Sequence, residues 1–269
     1  MRACAALLCA SCALPAVSAG TFLPAGDLRP GDLHASLSLE AGRVLAGPTD
    51  VNDLRAVPPE ARQYEVSTWV ASDASLRWQA DRRIALEAQA KLTNPVAPFQ
   101  PNLVGGAVGG RLRILDRAFD DSISLELGTR AVGISARQQI VRTSANRTQR
   151  DDWSYRAVGV EVPLIGTYRV NDLFSVTCAP FLRAYWIRVV HDKRLSLQAS
   201  DGTVTSQPPS QAVLEWSPVL SGGLGVAAAL DFGPVQLAPG IAAELATRPG
   251  PNAPTKLLIE PGVSVGTRF

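Results

Sequence analysis

The segment Val263-Ser264-Val265-Gly266-Thr267-Arg268-Phe269 shows the pattern that decides the fold, because apolar and polar residues alternate along it up to a final Phe. Alternation with a period of two predicts a β-strand that has one apolar and one polar face. Residues 33–40, LHASLSLE, repeat the pattern near the other end of the chain. We therefore predict an all-β protein in which most residues after position 31 belong to such strands.

Short turns and long polar connections alternate along the chain between these segments. We count ten strands, with eight or twelve as the alternatives. With an even number of strands, the first strand begins and the last strand ends on the same side of the sheet. The short turns are predicted at residues 81–82, 116–121, 171–172 and 231–234. The long connections are predicted at residues 47–63, 93–102, 137–152, 191–209 and 248–254.

The first residues have the composition of a secretory signal peptide. Met1-Arg2 precedes an apolar stretch, Ala3–Ala16, that is shorter than the roughly 20 residues of a membrane-spanning helix, and small residues follow up to Gly20. We predict a signal peptide over residues 1–19 and one domain over residues 20–269. Lipidation at Cys12 is the alternative. Beyond the predicted cleavage site only Cys178 remains, so that domain can form no internal disulfide.

Charge and hydropathy exclude other classes of protein. The formal net charge is only +2, without the basic stripe of a nucleic-acid-binding protein. After the signal peptide no apolar run is long enough for a membrane-spanning helix. A membrane span would then have to be a closed β-barrel, because only helices and closed barrels satisfy every backbone hydrogen bond in lipid.

Together these features resemble the outer-membrane β-barrel proteins of Gram-negative bacteria, which have an even number of strands, short periplasmic turns and longer extracellular loops. The resemblance implies a closed antiparallel up-and-down transmembrane barrel in the outer membrane. It also implies that Phe269 is the assembly signal, that the barrel-assembly machinery and outer-membrane lipids, including lipopolysaccharide, are partners, and that the protein is a monomer. We expect no cofactor and no nucleic-acid partner.

Charged residues of both signs follow the polar face of the predicted strands. A barrel of about ten strands leaves little more room than its side chains fill, and buried charges have to be paired. We therefore expect a lumen filled by ion pairs, and a narrow polar pore is the alternative. The predicted lumen-lining residues are Glu65, Arg77, Glu87, Lys91, Arg111, Arg113, Glu126, Arg130, Glu161, Arg169, Arg183, Glu260 and Arg268; Glu40, Asp73, Glu215, Glu244 and Lys256 follow the same face.

One grouping of residues has the composition of a catalytic site. His191 and Asp192 lie beside the predicted loop at 191–209, and Asp151 and Asp152 lie on the neighbouring loop. On paper this is similar to the carboxylates and histidine of the omptin proteases, although no omptin motif is present. The chain contains only two histidines, so we expect no metal site.

The main functional prediction is an integral outer-membrane barrel with a structural or porin-like role. The alternatives are an outer-membrane enzyme with its site near His191, and a soluble secreted barrel that binds an apolar ligand. In the loop at 137–152, four arginines indicate contact with lipopolysaccharide phosphates: Arg137, Arg142, Arg147 and Arg150. Five prolines inside predicted strands should produce bulges or interrupted pairing: Pro163, Pro180, Pro218, Pro239 and Pro261.

Overall fold

A computed structural model describes residues 28–45, 68–93, 102–118, 122–144, 147–198, 203–247 and 256–269. The predicted signal peptide at 1–19, the predicted cleavage site, the connection at 47–63 and Glu65 lie outside these residues. Within them every regular element is a β-strand. The all-β prediction is therefore confirmed.

The strands run in chain order with these bounds: β1 Leu33–Leu45, β2 Thr68–Gln79, β3 Ile84–Thr93, β4 Asn102–Ala118, β5 Ile123–Ser144, β6 Arg147–Arg169, β7 Phe174–Gln198, β8 Val204–Ser206, β9 Ser210–Asp231, β10 Val235–Thr247 and β11 Lys256–Arg268. Consecutive strands pair antiparallel with one exception. The short strand β8 and the next strand β9 each pair with β7.

The sheet closes on itself. β1 pairs with β11 as well as with β2, and β6 pairs with β7, so ten strands form a ring while β8 lies beside it. At the junction of the two ends, the Leu33 N–H donates to the Phe269 carbonyl oxygen at 3.2 Å, and the Phe269 N–H donates to that of Leu33 at 2.9 Å. The prediction of a closed antiparallel barrel of about ten strands is confirmed.

The strands are tilted strongly relative to the barrel axis. A row of directly paired residues that begins at Arg77 on β2 reaches Glu161 on β6, Arg183 on β7 and finally Lys256 at the start of β11. The row thus climbs along the strands as it goes round, which is the shear of the barrel. A closed barrel with such a shear has strands tilted by about 35–45°.

The two faces of the strands differ in exposure as well as in polarity. Apolar side chains such as Leu37, Val108 and Leu182 point outward and are 60–70% exposed, while Lys91 and Arg183 are almost fully buried inside. A soluble barrel that binds an apolar ligand requires the reverse arrangement, with apolar side chains inside. The outward position of the apolar face therefore does not favour a soluble barrel that binds an apolar ligand.

Two predicted long loops are strands instead. β5 and β6 continue their pairing to Ser144 and Arg147, and β7 continues to Gln198, so the predictions of loops at 137–152 and 191–209 are wrong. The reason is that the two strands of a long antiparallel hairpin pair their backbone N–H and C=O groups with each other. Such strands therefore form even where neither face is apolar. β5, β6, β7 and β9 have 22 to 25 residues, whereas β3 has 10.

The prolines interrupt the ladder on one side only. Pro239 is in register with Val263 on β11, while the β9–β10 ladder skips from Leu237 to Gly240. The missing N–H explains the gap, since proline cannot donate to a neighbouring strand. The ladders beside Pro163, Pro180 and Pro261 show the same gap, and on β9 a register shift precedes Pro218, between Leu214 and Ser217, so interrupted pairing at the prolines is confirmed.

Side-chain oxygens organise several of the short turns. The Asp81 carboxylate accepts hydrogen bonds from the N–H groups of Arg83 at 2.6 Å and Ile84 at 2.7 Å, which hold its pKa below the usual range. Asn171 accepts from the Leu173 N–H, and Asp231 accepts from the Gly233 N–H. Asn and Asp favour turns through such local bonds, and these tight turns lie where the sequence predicts them.

The interior leaves no space for a side chain at some glycines, and this yields a first prediction. A methyl group at Gly159 would overlap the Ala184 carbonyl oxygen and the Tyr185 ring. We expect Gly159→Ala to lower the free energy of unfolding by about 1–3 kcal/mol, because overpacking displaces the backbone or the ring. Urea unfolding in phospholipid vesicles, followed by Trp fluorescence, measures the loss.

Gly133 provides the matched control. It lies on the neighbouring strand β5, and a methyl group there would meet nothing within 4 Å. Gly133→Ala should change the free energy of unfolding by less than about 0.5 kcal/mol. Equal effects of the two substitutions would show that the ring of Tyr185 does not pack on Gly159.

Candidate functional site: the charged interior and the extended strands

The interior is filled unevenly. On β9 and β10 the inward positions carry small residues, among them Ala227, Ala229, Ala238 and Ala242. Long charged side chains enter from most of the other strands. The wall of β9 and β10 is thus formed mostly by small side chains, with Glu244 on β10 as a charged exception.

One group of ion pairs surrounds Glu126 on β5. Its carboxylate lies 3.4 Å from Arg77, 3.4 Å from Arg113 and 3.6 Å from Arg111. Arg111 also donates from Nε to Glu87 at 2.7 Å. Three cations thus share one buried carboxylate, and the short bonds to charged partners offset part of the cost of removing these groups from water.

The network continues along β5, β6, β7 and β10. Arg130 contacts Glu87 and lies 3.6 Å from Glu161. Glu161 accepts from Arg183 Nε at 2.8 Å, and Arg183 Nη1 contacts Glu244 on β10. Carboxylates and guanidinium groups therefore alternate, so each charge has an opposite charge beside it.

Lys91 occupies a separate acidic environment. Its ammonium group lies 2.7 Å from Glu40 on β1 and 3.4 Å from Asp73 on β2, and its side chain is fully buried. Glu260 on β11 is buried as well and lies diagonally across the ladder from Glu244. A fully buried ammonium group requires such partners, because an unpaired charge in the interior is strongly destabilising.

Several pairs join strands that are not neighbours. Arg77 on β2 contacts Glu126 on β5, Lys91 on β3 contacts Glu40 on β1, and Arg183 on β7 contacts Glu244 on β10. Such contacts pass through the interior between strands that are two or three positions apart in the ring of ten. A cavity between Arg77, Glu87, Gln89, Arg111 and Arg130 has a volume of about 10 Å³, the space of about one water molecule.

The end of the barrel that carries the short turns is covered from inside. Leu28, which precedes β1, is buried, and its carbonyl oxygen accepts a hydrogen bond from Arg113 at 3.4 Å. The first described residues therefore contact the charged network directly. The lumen is filled at this end too.

Most residues predicted to line the lumen are buried in this network. Arg169 and Arg268 are half-buried near the short turns, and Arg268 lies 3.4 Å from Asp231. Glu65 lies outside the described residues. The buried ones are Arg77, Lys91, Arg111, Arg113, Glu126, Arg130, Glu161, Arg183 and Glu260, and the Glu87 side chain is 9% exposed.

An apolar belt surrounds the outside of the barrel. On β6 it runs over exposed side chains from Val158 to Tyr168, which is roughly 25 Å along the axis for ten tilted residues. Exposed aromatic side chains lie at both edges: Trp186 and Trp216 on the side of the extended strands, and Trp78, Tyr168 and Phe269 on the side of the short turns.

The structure does not bring the predicted rim grouping together on one face. Asp152 pairs with Asp192, while His191 pairs with Trp153, and neighbouring positions on a strand lie on opposite faces. Asp152 accepts from Gln139 at 2.6 Å, and Asp192 accepts from Gln211 at 2.8 Å. Asp151 pairs with Lys193; the side chains of Asp151 and His191 lie outside the described part.

Outward-facing arginines lie opposite one another on β6 and β7, and of these the sequence analysis did not name Arg156, Arg188 or Arg194. Arg156 on β6 pairs directly with Arg188 on β7, and Arg150 pairs with Arg194. The signal was present in the sequence, because residues 148, 150, 152, 154 and 156 are all polar and continue the parity of Val158 and Val160 on the outward face. A long polar stretch was interpreted as a loop, although its alternation had not ended.

The ion pairs yield a second prediction. Arg183→Met would leave Glu161 and Glu244 buried without their shared cation. We expect the free energy of unfolding to fall by about 3–5 kcal/mol, because both carboxylates lose the cation that they share and only Arg130, 3.6 Å from Glu161, remains beside them. Adding Glu161→Gln and Glu244→Gln should restore most of the loss. Urea titration in vesicles gives the three values.

The exposed pair Arg150–Asp152, 3.0 Å apart, is the control. Arg150→Met should cost less than about 1 kcal/mol, since water screens the charges. A loss at Arg183 no larger than that at Arg150 would contradict the stabilising role of the interior pairs.

Within the described ranges no helix is long and apolar enough to cross a membrane. No group of three or more His, Cys, Asp or Glu residues in this part of the chain is arranged to bind a metal ion.

No family model matches the sequence, and no curated protein matches it. Solved structures with a similar fold include the outer membrane protease OmpT from Escherichia coli, with 11% identity, 89% of this chain and 97% of that chain covered, and a TM-score of 0.44. The translocator domain of the autotransporter NalP from Neisseria meningitidis is 12% identical, with 90% of each chain covered and a TM-score of 0.43.

The attachment invasion locus protein Ail of Yersinia pestis is 12% identical, with 89% of this chain and 99% of that chain covered and a TM-score of 0.34. OmpT and Ail are outer-membrane β-barrels of Gram-negative bacteria. Similarity at this level carries no functional argument, so function has to be argued from the geometry of this chain.

Proposed function

We propose that the protein is an integral outer-membrane β-barrel with a filled lumen, whose role is structural: it is a rigid anchor that holds the extended strands β5–β9 at the cell surface. The observation that carries the proposal is the combination of an exposed apolar belt with an interior crossed by ion pairs.

The apolar belt supports insertion in a membrane. Its side chains are large and contiguous, and soluble monomers rarely expose apolar patches beyond a few hundred Å². A height of roughly 25 Å and aromatic side chains at both edges match the lipid-facing band of outer-membrane barrels. Tyr168 and Trp186 then lie where aromatic rings contact both hydrocarbon and head groups.

The ion pairs support a closed lumen over an open pore. An ion that entered the barrel would have to break contacts such as Arg77–Glu126 and Arg183–Glu244, which join strands three and two positions apart in the ring. Each broken contact would leave buried charges unpaired. The porin-like alternative therefore requires a rearrangement of the interior.

The orientation follows from the class that the sequence resembles. The short turns and Phe269 lie at the same end of the barrel, and the Phe269 side chain is 73% exposed. This end is the periplasmic one, where the barrel-assembly machinery binds a terminal aromatic residue. The extended strands are then extracellular, and the barrel works as a monomer.

A third prediction concerns conductance. Protein refolded in detergent should migrate differently on a gel before and after boiling, which reports a folded barrel. In planar lipid bilayers the same preparation should give no discrete current steps, because the contacts across the lumen block ions. Reproducible steps from the folded wild-type barrel would overturn the closed-lumen proposal and support the porin-like role.

A variant tests whether the interior ion pairs are the cause of the expected absence of current. The triple substitution Arg183→Ser, Glu161→Ser and Glu244→Ser removes one of the links across the lumen without leaving an unpaired charge within this group. If it folds, current should appear. A matched triple at exposed positions, Arg150→Ser, Asp152→Ser and Gln139→Ser, should stay silent.

A further inference from the structure

We propose that one side of the periplasmic rim, at the β6–β7 and β9–β10 turns, is immersed in the phospholipid head groups and upper acyl chains of the periplasmic leaflet. The barrel axis is then tilted relative to the membrane normal. The inference rests on the proposed insertion and orientation of the barrel, and it adds a lipid-contacting surface beyond the apolar belt. We call this surface the apolar rim; it consists of Val170, Leu173, Phe232, Val235 and Phe269.

The side chains of the apolar rim are all exposed. Leu173 and Phe232 at the tips of the two turns are each 61% exposed, and Val170 and Val235 beside them are about half exposed. Adjoining apolar side chains that face water mark a surface that contacts a membrane or another protein. The exposed area is therefore available for contact with lipid.

Backbone hydrogen bonds hold the two turns side by side. The Asp231 N–H donates to the Leu173 carbonyl oxygen at 2.9 Å, which joins the β9–β10 turn to the β6–β7 turn. The Arg268 N–H donates to the Pro234 carbonyl oxygen at 3.0 Å, which joins the β9–β10 turn to the C-terminal strand. The exposed apolar side chains thus belong to one continuous part of the rim and not to separate tips.

The apolar rim continues the apolar belt toward the periplasm. Tyr168 lies at the edge of the belt, and Val170 is the next outward position along the chain. Two residues of a tilted strand span about 5 Å along the axis, and the head-group region of one leaflet is about 5–8 Å thick. The rim therefore lies at the depth of the head groups. Continuity with the belt favours lipid as its partner, because the lipids around the belt already reach this depth.

The opposite side of the periplasmic rim is charged. The β2–β3 turn carries Asp81, Arg82 and Arg83, and all three are exposed. In the ring, four strands separate this turn from the β6–β7 turn in one direction and from the β9–β10 turn in the other.

This contrast implies a direction of tilt. Moving arginine from water toward hydrocarbon is unfavourable, whereas apolar side chains gain from leaving water. The apolar rim is therefore drawn toward the membrane centre while the β2–β3 turn stays in water. A rigid barrel meets both conditions by leaning, with the β6–β10 side raised.

The experiment measures the depth of single labelled positions. The four native cysteines are replaced by Ser, and Phe232→Cys, Leu173→Cys or Arg82→Cys is added, the last as the matched control on the charged turn. Each variant is labelled in urea with the same fluorophore and refolded into phosphatidylcholine vesicles. Iodide, equilibrated across the vesicle membrane, quenches labels in water, and lipids with a nitroxide near the head group quench immersed labels.

We expect iodide to quench the labels at residues 173 and 232 about threefold less than the label at residue 82, because lipid shields an immersed side chain. Nitroxide lipids should show the reverse order. Equal quenching by iodide at all three positions would overturn the inference.

A second measurement tests the tilt without a label. The double variant Leu173→Ser and Phe232→Ser should show a smaller tilt of the barrel axis in oriented bilayers, measured by polarised infrared spectroscopy of the amide I band. Val141→Ser and Val204→Ser, which replace exposed apolar side chains on the extended strands, should leave the tilt unchanged. A tilt that is the same in both double variants and the wild type would contradict the role of the apolar rim.

The two proposals fail separately. A protein that does not insert into the vesicles would contradict the proposed membrane barrel and the apolar rim together. A protein that inserts with heat-modifiable migration, but whose turns are equally open to iodide, would contradict the apolar rim alone.

Discussion

The hydrogen-bond ladder between β1 and β11 is the constraint on which the rest of the structure depends. Because Leu33 and Phe269 bond to each other at one end of this ladder, the ring of ten strands has no free edge, and each of these ten strands has two neighbours. A closed ring with alternating side chains has one inward and one outward face throughout. Ring closure thus turns a local alternation into a barrel with a charged interior and an apolar outside.

The filled lumen follows from that geometry. Ten strands enclose limited space, and long Arg and Glu side chains from β2 to β7 extend toward a wall of alanine on β9 and β10. Their charges are satisfied by partners from strands that are not adjacent, such as Arg183 and Glu244. In the proposed closed lumen, the same pairs that stabilise the buried charges would also block the path for ions.

The extended strands carry the sheet beyond the apolar belt. β5, β6, β7 and β9 continue well beyond the apolar belt, and their outward side chains change from Val and Trp to Arg, Asp and Gln. Sequence reasoning missed this change because a strand with two polar faces lacks the contrast that marks strands elsewhere. Arg156 and Arg188 were overlooked for that reason, although the short turns and the prolines were placed correctly from local chemistry.

The sequence by itself determined the strands, their alternation, the turns at Asp81 and Asn171, and the collection of charges on one face, because these depend on residues close together in the chain. Only the tertiary structure decided which face points inward, which charges pair across the lumen, and how far β5–β9 continue. Those features depend on ring closure and register, which join residues as far apart as Arg183 and Glu244 and which alternation alone leaves open.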